Sequence, residues 1–195
     1  MRTTSSTAKI RMIVFNALFI ALILVMQMTG IGLIRLGVIN ITFYCTVVAV
    51  GTLLLGLKSG LIQGFAFGTI SLITAIQSPS GLVSPILSNS VLLVALMCYI
   101  PRLLVPIVTH FTHKLFMKDT KNDKTALMLG GAAGSLTNTV LYLGIMLLCY
   151  VPMMAQHPTV LATIGGIVLY GGIPEAIVAG VLTPALVTAL RKAAH

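Results

Sequence analysis

Tryptophan is absent from this 195-residue chain, acidic residues number only three, and charged residues of both signs make up 8%. A soluble domain carries about 25% charged residues, so this shortage of charge excludes that class. With 57% hydrophobic residues and a mean hydropathy of +1.07, the chain reads as an integral membrane protein. The missing Trp leaves any aromatic belt to five Tyr and seven Phe.

Other absences exclude chemistries. There is no HExxH, no Gly-x-Ser-x-Gly and no paired-carboxylate pattern. Cys45, Cys98 and Cys149 lie in apolar stretches without CxxC spacing, so they read as small buried hydrophobes. The nearest approach to a phosphate-binding loop runs from Gly51 to Ser59, but Leu57 separates Gly56 from Lys58, where the lysine must follow directly. His110 and His113 fall near the end of an apolar run and His157 in a loop beside Pro158, none spaced for catalysis. Asp119 and Asp123 sit in a basic linker and read as a solvated, charge-mixed turn. Neither a catalytic nor a metal site is expected. The net charge of +9 is scattered between apolar runs, which argues against nucleic acid as a partner.

What is present is a series of six apolar runs, at about 10–28, 39–55, 59–76, 89–116, 125–150 and 159–190. Each approaches the ~20 residues that cross a bilayer as a helix. The expectation is an all-α, six-helix membrane bundle forming one domain over 1–195. The first run follows Arg2, Lys9 and Arg11 and is long for a signal peptide, so it reads as a retained helix. Residues 29–38 read as a Gly-rich loop, 77–88 as too rich in Pro, Ser and Gly for a regular helix, and 118–124 as a hydrophilic linker. Pro101 and Pro106 are expected to kink the fourth helix, and Gly171-Gly172-Ile173-Pro174 to interrupt the sixth. Gly56, Gly60, Gly64 and Gly68, spaced by four, mark a close-packing face on the third. Arg2, Lys9, Arg11, Lys58, Lys114, Lys118, Lys121, Lys124, Arg191 and Lys192 all fall on one set of ends, against Arg35 alone on the other. The positive-inside rule then puts both termini in the cytoplasm.

Two charged residues lie in the middle of apolar runs: Arg102 and Glu175. A charged side chain at bilayer depth costs about 2.5–3.5 kcal/mol even on the lower insertion scales. Such residues persist where they face a bundle interior. Asn138 is an amide in a third run, and the topology brings all three to similar depth. Arg102 offers a planar donor fork suited to a carboxylate, while Asn138 can donate and accept. Three readings of Arg102 stand open: a ligand contact, an ion pair with Glu175, or a side chain reaching toward the interface. Asn138 is open between ligand contact and interhelical hydrogen bond. Tyr44 and Gln77, toward the outer ends of their runs, are further candidates, each also readable as interfacial.

Several strings, in order and spacing, resemble the substrate-binding S components of energy-coupling factor (ECF) vitamin transporters. They are Leu55-Gly56-Leu57-Lys58-Ser59-Gly60, then Gly64-Phe65-Ala66-Phe67-Gly68-Thr69-Ile70-Ser71, Ser84-Pro85-Ile86-Leu87-Ser88-Asn89, Ile100-Pro101-Arg102 and Gly134-Ser135-Leu136-Thr137-Asn138-Thr139. Ala17-Leu-Phe-Ile-Ala21 resembles the AxxxA motif by which these proteins contact their coupling subunit. The resemblance implies a multi-pass protein of a prokaryotic plasma membrane that binds a vitamin. It implies docking onto one transmembrane coupling subunit and two ATPase subunits, which use ATP and magnesium. This chain would then need no cofactor of its own and would not be an enzyme. The Pro-Arg and Gly-Ser-Leu-Thr-Asn-Thr strings are most similar to the pantothenate type. On that likeness Arg102 would take the carboxylate, and Asn138 and Asn89 the amide and hydroxyls. Folate or riboflavin are the alternative vitamins. An ion-coupled carrier using Glu175 is the alternative mechanism.

Overall fold

Backbone N–H and C=O groups in hydrocarbon must be satisfied within the chain, which turns long apolar runs into helices. The computed structural model describes residues 3–29, 33–36, 39–120, 122–153 and 158–193, with side chains for 9–29, 43–118, 122–152 and 158–193. The helices are α1 (Thr3–Thr29), α2 (Tyr44–Leu55), α3 (Leu57–Gln77), α4 (Ser84–Asn89), α5 (Val91–Thr120), α6 (Asp123–Tyr150), α7 (Val160–Ile167) and α8 (Ile173–Ala193). Among the described residues, five segments are long and apolar enough to cross a membrane, α7 and α8 counting together as one; α2 is a shorter apolar helix.

The second run departs from expectation. Residues 39–42 belong to a strand, β2 (Ile39–Thr42), paired antiparallel with β1 (Leu33–Leu36). The loop after α1 therefore contains a hairpin, and α2 keeps only 12 residues, about 18 Å of axis. The alternation Ile39-Asn40-Ile41-Thr42 has the period of a strand, which explains why the helix does not begin earlier. The backbones of Arg35 and Asn40 pair across the hairpin. His157 and the three glycines of the first loop, Gly30, Gly32 and Gly37, lie outside the described residues.

α5 and α6 form the centre of the bundle, with α3 against α5 and α8 against α6. The glycine face of α3 is turned to its neighbours. A Cβ at Gly60 would meet Thr52 and Pro106, one at Gly64 would collide with the Arg102 carbonyl, and one at Gly68 would come within 2.8 Å of the Tyr99 ring. The ladder is thus internal packing. Gly56, its fourth member, has left it: at φ 91° it makes the corner between α2 and α3. Gly131 and Gly134 of α6 approach Thr183 of α8 and Thr109 of α5 in the same way.

α1 is peripheral. It is held by Ile23, fully buried against α2 and α3, and by polar contacts: Asn16 Nδ2 donates to Ser59 Oγ at 3.0 Å, and Gln63 Nε2 to Asn16 Oδ1 at 3.0 Å. The apolar side chains Leu18, Leu22 and Val25 of α1 stay exposed, and Ala17 and Ala21 are exposed beside them.

The hydrophilic linker is shorter than expected, because α5 continues to Thr120 and α6 starts at Asp123. Asp123 is not merely solvated. Its carboxylate meets His113 Nε2 at 3.3 Å and Arg191 Nη1 at 2.5 Å, which joins the ends of α5, α6 and α8.

Candidate ligand cavity

The two prolines inside α5, Pro101 and Pro106, prepare the first functional group. Pro101 has no N–H, so the Met97 carbonyl loses its intrahelical donor. The Arg102 side chain turns back to replace it: Nη1 donates to Met97 O at 3.0 Å. Nη2 donates to Ser71 Oγ of α3 at 3.3 Å. The guanidinium carbon lies 5.2 Å from the Phe67 ring centroid and 4.5 Å from that of Tyr142, so the fork is held between two aromatic faces. Among the described residues, Arg102 Nε has no hydrogen-bond partner. Pro106 frees the Arg102 carbonyl in turn, and the Gly64 backbone packs on it.

The break in the last membrane segment prepares the second group. It is a π-helical stretch, Val168–Gly172, directly before Ile173 and Pro174, and not an unwound loop. Gly172 lies so close to Thr139 of α6 that any Cβ would overlap its methyl group. One turn later Glu175 is 8% exposed, as is Arg102. The Cys45 thiol of α2 lies near the Glu175 carboxylate.

These groups share a cavity of about 450 Å3, within the roughly 300–1,000 Å3 of small-molecule sites. Its wall is assembled from every part of the bundle. Gln27 comes from α1, Tyr44 from α2, Phe67 and Ser71 from α3, and Ser80 and Leu82 from the segment before α4. Arg102 comes from α5 and Asn138, Thr139, Tyr142, Leu143 and Met146 from α6. Ile167, Gly171, Gly172 and Glu175 complete it from the last segment. Tyr44 and Phe67 touch at 5.5 Å between centroids, which extends the aromatic wall from Arg102 toward α2. The Asn138 Oδ1 and Gln27 Oε1 atoms are buried and have no partner among the described residues.

Four of the six candidate ligand residues therefore line one cavity: Arg102, Asn138, Glu175 and Tyr44. Two do not. Gln77 ends α3 and Asn89 ends the separate six-residue helix α4; both side chains are exposed. Asn89 was expected to open the fourth span, but the chain turns at Ser90 before α5 begins. For Arg102, the hydrogen bonds described run to Met97 and Ser71, and its burial removes the interfacial reading.

Sequence reasoning missed Gln27, Phe67, Ser71, Ser80, Thr139 and Tyr142. Some carried a signal. Ser71 follows Gly68 by three and Phe67 follows Gly64 by three, on the face the glycines already marked; Tyr142 follows Asn138 by four. Gln27 is an amide in an apolar run, the same signal that singled out Asn138.

Residues 11–187 match the family model described as ECF transporter, substrate-specific component. The pantothenic acid transporter PanT of Lactococcus lactis subsp. cremoris (strain MG1363) is 30% identical over 190 residues, which cover 91% of this chain and 92% of that protein.

Proposed function

The chain belongs to the family of ECF transporter substrate-specific components, and from that premise we propose that it captures pantothenate for an ATP-driven importer. Membership makes it a multi-pass vitamin-transport protein that binds and does not catalyse. The observation that carries the choice of vitamin is the polar inventory of the cavity. One cationic fork is set against three acceptors: Glu175, Asn138 Oδ1 and Gln27 Oε1. Pantothenate has the complementary set, with one carboxylate and three donors in its amide N–H and two hydroxyls. Folate carries two carboxylates and riboflavin none. The 30% identity to a pantothenic acid transporter supports the same choice.

In this reading both termini and the Asp123 cluster are cytoplasmic, and the hairpin and cavity mouth face outward. α2 makes the sixth crossing with help from the hairpin at its N-terminal end. The ligand carboxylate meets Arg102, whose remaining donors are aimed by Met97, Ser71 and the two rings. The amide and hydroxyls meet Asn138, Gln27 and Glu175, and Tyr44 closes the wall. Asn89 and Gln77 play no part in binding. Ala17 and Ala21, four apart on the exposed face of α1, form the small-residue surface for the transmembrane coupling subunit. Two ATPase subunits use ATP and magnesium, and the membrane is the plasma membrane of a prokaryote.

Reconstitution tests the assignment. Pantothenate uptake into liposomes should require the coupling and ATPase subunits and ATP. Uptake by this chain alone, driven by an ion gradient, would replace the reading with that of an ion-coupled carrier centred on Glu175.

A further inference from the structure

The proposed capture of pantothenate sets the ligand carboxylate on Arg102, and the groups around the guanidinium decide what else that carboxylate meets. A guanidinium carries five N–H donors in one plane. Nη1 spends one on Met97 O at 3.0 Å, and Nη2 spends one on Ser71 Oγ at 3.3 Å. Nε is buried and has no partner among the described residues. The Phe67 and Tyr142 rings lie 5.2 and 4.5 Å from the guanidinium carbon, so a ligand reaches the donors in the plane of the fork. Phe67 and Ser71 are four residues apart on α3, so one turn of that helix supplies both a ring and a hydroxyl.

We infer that Ser71 is a second donor to the ligand carboxylate, so that the anion receptor is a pair of residues and not Arg102 alone. This rests on the proposed reading of the cavity. Ser71 is 8% exposed and lines the cavity beside Arg102. Its oxygen accepts from Nη2, which leaves its own proton to give. Among the described residues, the bond from Arg102 is the one hydrogen bond at Ser71 Oγ, so that proton is not taken up by the protein. Accepting from a cation polarises the hydroxyl and strengthens it as a donor. Neighbouring N–H bonds of the fork run nearly parallel, so acceptors seated on them stand within hydrogen-bond reach of each other. Ser71 Oγ occupies one such seat, and a carboxylate oxygen in the next receives the Ser71 proton. Every group the ligand meets at this end is a donor, which suits a terminus that only accepts. A carboxamide would turn its NH2 against one of these donors. Ser71 is therefore a specificity-determining residue for the anionic end of the ligand.

The test is calorimetric titration of the full-length chain in detergent with two probes: pantothenate, and the analogue in which hydrogen replaces the carboxylate. Ser71→Ala should weaken pantothenate binding about 10-fold and binding of the analogue less than about 2-fold. Ser71→Thr keeps a hydroxyl at the site and should bind pantothenate about 5-fold more tightly than Ser71→Ala. A residue that only aims Arg102 gives these same results, so a second arm repeats Ser71→Ala in the Arg102→Ala background. A direct donor still costs about 5-fold or more there, and a positioning residue costs nothing. No further loss in the double variant would overturn the donor role, as would equal weakening of both probes by Ser71→Ala. If Ser71→Ala does not fold, Ser71→Cys takes its place, because a thiol is a weak donor; an unchanged preference for pantothenate over the analogue in that variant ends the inference. A wild type that binds no pantothenate at all overturns the substrate reading and the paired receptor with it. A wild type that binds the two probes equally overturns the receptor alone.

Discussion

Replacing Arg102 with alanine separates affinity from architecture. The guanidinium has two structural bonds, to the Met97 carbonyl and to Ser71 Oγ, and in the proposed complex it meets the ligand carboxylate. Charge-assisted hydrogen bonds contribute about 1.5–3 kcal/mol each. Loss of a two-bond contact to the carboxylate, reduced by partial access of water to the truncated site, should weaken pantothenate binding by about 3 kcal/mol, or ~150-fold. The ligand-free protein should also lose about 1–3 kcal/mol of stability, because Pro101 deprives Met97 O of its intrahelical i+4 donor. The assay is paired titration with pantothenate and with its neutral alcohol, in which the carboxylate is replaced by a hydroxymethyl group, together with thermal unfolding of the ligand-free protein. Arg102→Ala should erase most of the preference for the acid over the alcohol. If the two ligands weaken by the same factor, Arg102 only shapes the cavity and the carboxylate lies elsewhere.

Other substitutions probe the supporting structure. Tyr142→Leu removes one face of the arginine clamp, 4.5 Å from the guanidinium carbon, and should weaken pantothenate binding by about 1 kcal/mol in titration; Tyr142→Phe should change it little. Gly64→Ala forces a Cβ into the Arg102 carbonyl and should lower stability by about 1–3 kcal/mol in thermal unfolding. Asn16→Leu leaves Gln63 without the partner it holds at 3.0 Å and should cost about 1–2 kcal/mol by the same measurement. Ala17→Leu or Ala21→Leu should spare vitamin binding and block transport in reconstituted liposomes; lost binding with intact docking would refute the docking assignment. Asp123→Ala removes two half-exposed pairs and should shift stability by less than about 1 kcal/mol.

The residues legible in the sequence were those that violate their surroundings. Arg102 and Glu175 stand out because charge in an apolar run is costly, and Asn138 because an amide there needs a partner; all three line the cavity. The position of the break before Pro174 was legible for a like reason, though the chain answers it with a π turn and keeps the helix. The aromatic clamp was not legible. Phe67 and Tyr142 are ordinary residues for a membrane helix, and only the tertiary approach of α3, α5 and α6 puts a cation between them. The shortness of α2 was missed because hydropathy ignores period: 39–42 is apolar on average but alternates as a strand does. Asn89 was drawn into the fourth span by its neighbours' apolarity, where the chain instead ends one short helix and turns.

The most direct measurement is isothermal titration of the purified, detergent-solubilised chain, without partner subunits, against pantothenate, folate and riboflavin in turn. The account predicts saturable one-to-one binding of pantothenate, and none of comparable strength for the other two. Tight binding of folate or riboflavin in place of pantothenate would contradict the assignment of Arg102, Asn138 and Glu175 to a ligand with a single carboxylate.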